Sequence, residues 1–101
     1  MFSVVIPLFN KEKSVRNTIS SVLNQTVADF ELLVINDGST DKSREIVADI
    51  QDSRIRIVDK PNGGVSNTRN EGIKFASNTY VALLDADDLW EPDFLETIRK
   101  L

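Results

Sequence analysis

The protein has 101 residues, 41% of them apolar, and twelve basic against sixteen acidic side chains give a formal net charge of −4. That is one domain with enough apolar surface for a real core, which excludes a disordered chain, and its acidic balance argues against a nucleic-acid surface. Cysteine and histidine are absent, so disulfides, thiolate chemistry, imidazole catalysis and the usual zinc sites are excluded.

The first apolar run, Phe2–Ile6, is too short for a membrane span and lacks the basic flank of a signal peptide. The chain as given is therefore expected to be soluble and cytoplasmic, with membrane association of a longer protein left open. The loop Pro7-Leu8-Phe9-Asn10 follows. Val15, Ile19, Val22 and Leu23 then recur at helical spacing. Glu12 suits the N-terminus of that helix electrostatically, and Asn10 suits a cap.

The second run, Phe30–Ile35, ends in Asn36-Asp37-Gly38-Ser39-Thr40-Asp41. Asp37 sits at a sharp turn, where its carboxylate could accept from the ring N–H of a pyrimidine. Ordinary turn and cap chemistry is the alternative, and it accounts for Ser39, Thr40 and Asp41. A second helix is marked by Ile46, Val47 and Ile50.

After the third run, Ile55–Val58, comes Lys60-Pro61-Asn62-Gly63-Gly64 and then a helix with a thin apolar face of Ile73 and Ala76, weakened by Gly72. The glycine pair allows close approach of backbone to a ligand. Arg69, one to two turns into the helix, offers five donors to a base or phosphate, or is simply solvated. The spacing matches neither a dinucleotide fingerprint nor a phosphate-cradling Walker loop.

The fourth run, Tyr80–Leu84, breaks into Asp85-Ala86-Asp87-Asp88 with no base beside it in sequence. Crowded carboxylates repel, and a hard divalent cation with oxygen ligands relieves the repulsion. Asp85 is placed to accept from a ribose hydroxyl, Asp87 to bind Mg²⁺ or Mn²⁺, and Asp88 to support Asp87. The alternative is a strand end with solvated acids. Trp90 is expected to pack a last helix that begins at Pro92.

The order βαβαβαβα predicts an α/β fold: a mostly parallel sheet of about four strands with helices on both faces and right-handed crossovers. Ligands of such sheets bind beyond the carboxyl ends of the strands. All four unusual loops fall there, which predicts one composite site.

Val5-Ile6-Pro7-Leu8-Phe9-Asn10-Lys11-Glu12, Asn36 to Asp41, Gly63 to Asn70 and Asp85 to Asp88 resemble, in order, the donor-binding half of family 2 glycosyltransferases. The likeness runs through essentially the whole chain. It implies a Rossmann-like GT-A fold, with residues 1–101 as the portion that binds a nucleotide-diphosphate sugar, UDP-linked by family habit. It implies that Pro7 lines the nucleoside pocket through its loop, with Asn10 and Glu12 counted in the same nucleotide-sugar set. It further implies that Asp37 meets the base, Arg69 anchors the nucleotide, Asp85 meets the ribose, and Asp87 binds the metal at the diphosphate. Phe9 stands where the family usually has Tyr, and Asn36 where it often has Asp. The acidic general base of inverting transfer is expected after Leu101, because Glu91, Asp93 and Glu96 follow the cluster too closely and read as first-turn helix acids. The chain is thus expected to hold a donor without completing transfer to an acceptor glycan or lipid-linked sugar. The alternative is a non-catalytic binding or assembly module, self-associating through an exposed sheet edge.

Overall fold

The computed structural model describes residues 1–101 as four strands alternating with four helices. They are β1 Phe2–Leu8, α1 Val15–Leu23, β2 Phe30–Asp37, α2 Ser43–Ala48, β3 Ile55–Lys60, α3 Val65–Phe75, β4 Tyr80–Leu83 and α4 Phe94–Arg99. The sheet is wholly parallel in the order β3-β2-β1-β4. The chain steps outward from β1 to β3 and then returns to the other side of β1. A switch point therefore lies between β1 and β4.

Side-chain alternation along the two central strands divides the core. Val4, Ile6, Leu8, Leu32 and Val34 join Val15, Ile19 and Val22 of α1, Val47 of α2 and Leu95 of α4. Val5, Leu33 and Ile35 form a separate cluster on the opposite face, the face covered by α3. Reversing the direction of travel across the sheet while keeping one crossover hand moves a helix to the other face. The expected helices on both faces follow from that reversal.

Gly72 explains how α3 lies so close to the sheet. A Cβ there would stand 2.2 Å from Val5 Cγ1 and 3.2 Å from Ile35 Cγ1. The residue that weakens α3 as an isolated helix is the one that lets it dock.

β1, β2 and β3 run further at their carboxyl ends than the apolar runs suggested, whereas β4 stops at Leu83, one residue short of its run. Pairs Pro7↔Ile35, Leu8↔Asn36 and Asp37↔Lys60 continue the ladder into polar residues. Pro7 consequently belongs to β1 and not to the loop after it. Its missing N–H is harmless there. Val5 turns its carbonyl toward β4 and accepts from Leu84 N at 3.0 Å, so Pro7, two residues on, faces the same side. Pairing with β4 has ended at Val5.

Two local expectations change. The residue preceding α1 is Ser14, and Asn10 sits apart from it in left-handed backbone at φ 50°. The last helix begins at Phe94, after a turn through Pro92 and Asp93. Trp90 stacks on Phe94 with ring centroids 4.5 Å apart and packs against the larger core. No helix is long and apolar enough to cross a membrane.

Candidate functional site

Beyond the carboxyl ends of the strands lies an open cleft of about 600 Å³. Every strand end contributes to its neighbourhood. Pro7, Leu8, Phe9 and Lys11 come from the end of β1 and its loop, and Asp37 from the tip of β2. The segment after β3 supplies Asn62 and Gly64, α3 supplies Thr68 and Arg69, and the loop after β4 supplies Asp85 and Asp87. The convergence predicted from the four loops is present.

Asp37 is almost fully buried, and its own chain already solvates it. Oδ1 accepts from Lys60 Nζ at 2.6 Å and from the Gly63 amide at 2.8 Å. Oδ2 takes longer bonds, from the Gly64 amide at 3.2 Å and from Asn62 Nδ2 at 3.5 Å. Burial alone would raise this carboxyl, but the Lys60 and Gly63 bonds, the Thr68 hydroxyl and the Lys60 charge together hold it below the ordinary value. Gly64 makes the wall possible, because at φ 92° it adopts a backbone that few side chains tolerate. A Cβ there would meet nothing within 4 Å, so conformation and not crowding requires the glycine.

On the far wall Arg69 Nη2 donates to Asp85 Oδ1 at 2.7 Å. Lys11 Nζ lies 3.3 Å from Asp87 Oδ2. The acids that had no base beside them in sequence thus receive two counter-charges from other elements. The loop itself is fixed from beneath: the Ala86 carbonyl accepts from Ser14 Oγ at 2.8 Å and Thr18 Oγ1 at 3.0 Å. With Ala86 buried, Asp85, Asp87 and Asp88 are left exposed.

One carboxylate oxygen from each of Asp85, Asp87 and Asp88 can be chosen so that all lie within 4.8 Å of one another. Three hard oxygen donors at that spacing suit Mg²⁺ or Mn²⁺ better than a softer metal. These are the residues that would hold such an ion.

Asn10 and Glu12 do not line the cleft. Asn10 ties the first loop to the second, its Oδ1 accepting from the Thr40 and Asp41 amides at 2.8 and 3.2 Å. The Glu12 amide donates to Asp41 Oδ2 at 3.2 Å, while the Glu12 side chain is exposed. Sequence reasoning missed Lys11, Lys60 and Thr68. The available signal was that Lys60 is the sole base between the end of the apolar run at Val58 and the glycine pair.

An open parallel sheet with acids and an arginine gathered at its switch point is the arrangement in which α/β domains bind ligands beyond the strand ends. The chain belongs to glycosyl transferase family 2, whose model matches residues 3–101. It is 42% identical over 90 residues to the uncharacterized glycosyltransferase EpsJ of Bacillus subtilis (strain 168), covering 87% of this chain and 26% of that protein. It is 39% identical over 102 residues to the chondroitin synthase of Pasteurella multocida (strain Pm70), covering 99% of this chain and 11% of that one. The crystal structure of S. aureus TarS 1-349 in complex with UDP-GlcNAc matches with a TM-score of 0.91 at 29% identity, over 98% of this chain and 30% of that chain. The fold is of the Rossmann-like GT-A type. The chain spans less than a third of the length of each of these relatives.

Proposed function

We propose that these 101 residues form the donor-binding part of an inverting glycosyltransferase that takes a UDP-linked sugar with Mg²⁺ or Mn²⁺. The observation that carries this reading is that Asp37 and Asp87, from opposite wings of the sheet order, line one cleft. Complex formation of the similar TarS with UDP-GlcNAc supports the choice of donor.

In this reading Asp37 accepts the ring N–H of the base, and Arg69 anchors the nucleotide from α3. Asp85 accepts from a ribose hydroxyl, while Asp87 holds the cation with Asp88 beside it. The bound ion supplies Lewis-acid stabilisation of the charge that develops on the departing diphosphate. Lys11, already paired with Asp87, adds a positive charge facing the same group. None of Glu91, Asp93 and Glu96 lines the cleft, so in this reading none of these three takes the role of acceptor base. The 101 residues bind donor without completing transfer to an acceptor glycan or lipid-linked sugar. The outer edge of β4, where Tyr80 and Leu83 are exposed, is the surface through which copies would associate.

Calorimetric titration with UDP tests the reading. Binding that strengthens with Mn²⁺ and loses that dependence in Asp87→Ala is the expected result. No heat at millimolar UDP, with or without metal, means that the fold is an idle binding or assembly module.

A further inference from the structure

A half-buried lysine that donates to a site carboxylate from outside the cleft calls for an explanation. The Lys60 side chain is 13% exposed and its partner Asp37 5% exposed. Asp37 lines the cleft, and Lys60 does not. A cation in that position makes no contact with a ligand, so it acts through its partner. Two of its three donors are engaged, one by Asp37 Oδ1 at 2.6 Å and one by the Pro61 carbonyl at 2.7 Å. The ammonium is therefore held between its own strand end and the tip of β2.

The consequence lies in how the two oxygens of Asp37 are treated. Oδ1 receives two short bonds, from Lys60 and the Gly63 amide, which use its acceptor capacity. Of the contacts to Oδ2, the Gly64 amide at 3.2 Å is at the upper end of the hydrogen-bond range and Asn62 Nδ2 at 3.5 Å lies beyond it, which leaves one acceptor position weakly used. Oδ2 is thus the oxygen with capacity for a ligand donor. With the Lys60 charge in place the group stays a carboxylate, and a carboxylate can only accept.

We propose that Lys60 is a positioning residue that locks Asp37 Oδ1, leaves Oδ2 as an obligate acceptor toward the ligand, and thereby selects nucleobases with a ring N–H at that edge. Uracil, thymine and guanine carry such a donor. Cytosine presents a lone pair there and meets repulsion. The proposal rests on the donor-site reading above and adds the origin of base selection to it.

The test compares UDP with CDP, each titrated calorimetrically into the full chain, unmutated and as Lys60→Met, with folding checked by thermal unfolding. The unmutated chain is expected to prefer UDP by about ten-fold or more, because a mispaired polar group at a recognition site is rejected strongly. Lys60→Met leaves Oδ1 to the Gly63 amide alone and removes the ammonium that fixes the carboxylate, which can then turn away from cytosine. UDP affinity is then expected to fall about ten-fold, one charge-assisted bond's worth of orientation, while CDP is unchanged or improved. A merely structural lysine weakens both nucleotides alike, and that outcome overturns the proposal. So does an unchanged UDP-over-CDP ratio. Should Lys60→Met not fold, Lys60→Gln, which keeps a neutral donor on a slightly shorter stem, is expected to lose part of the selectivity; an intact ratio there overturns the proposal equally. If the unmutated chain binds neither nucleotide, the donor-site reading itself fails, and the Lys60 proposal with it.

Discussion

Arg69 and Asp85, sixteen residues apart, meet at 2.7 Å across the mouth of the cleft and join α3 to the loop after β4. The pair closes one wall of the site. Its side chains are 37% and 47% exposed, so solvent screening leaves it little weight in stability. Arg69→Ala is therefore expected to change the unfolding free energy by less than about 1 kcal/mol. UDP affinity is expected to fall about ten-fold, as charge-assisted donors to the nucleotide are lost. Urea unfolding and calorimetry on the same variant check the split. A large stability loss with unchanged affinity would make Arg69 a structural residue.

Thr18 lies fully buried beneath the acidic loop and donates to the Ala86 carbonyl. Valine has nearly the same shape without the hydroxyl. Ser14 still serves that carbonyl at 2.8 Å, so Thr18→Val should cost only about 1 kcal/mol of stability. Loosening of the loop should also weaken the Mn²⁺ dependence of UDP binding. Equal Mn²⁺ dependence in the variant would show that the loop holds its shape without Thr18.

Close docking of α3 gives a sharper test of the fold. Alanine normally stabilises a helix over glycine, yet at Gly72 its methyl would stand 2.2 Å from Val5 Cγ1. Overpacking of about 1–3 kcal/mol outweighs the propensity gain, so Gly72→Ala is expected to destabilise. A rise in the urea midpoint would mean that α3 sits further from the sheet than described.

Acid should unfold the protein through its bonded carboxylates. Hydrogen bonds from the Arg54 side chain and amide hold Asp52 at about 2. The Arg44 and Asn36 side chains hold Asp59 below the ordinary value, and Asp37 is lowered despite its burial. A carboxyl depressed in the folded state contributes stability above its unfolded pKa and loses it as pH falls through the folded one. Urea midpoints are therefore expected to be level above about pH 5 and to drop between about pH 4 and 2. A midpoint that stays level down to pH 2 contradicts these pairings.

Much of this was legible in the residues, and what was not has a common cause. Four apolar runs gave four strands, and the loops after them gave the location of the cleft, because period and punctuation are local signals. Strand ends were set by pairing, which carried β2 through Asn36 and Asp37 beyond the last apolar residue. The two lysines of the site escaped for the same reason. Lys11 and Asp87 are 76 positions apart, and Lys60 meets Asp37 across 23. Asn10 looked like a local cap, yet its partners lie about thirty residues on, at Thr40 and Asp41.

The central claim is that one cleft receives base and diphosphate together, and amide NMR of the chain titrated with UDP and Mg²⁺ addresses it directly. The account predicts that shifts at Gly63 and Gly64 beside Asp37, and at Ala86 to Asp88, saturate at the same UDP concentration. Saturable binding that moves only one of the two groups, or shifts them with different midpoints, would contradict it.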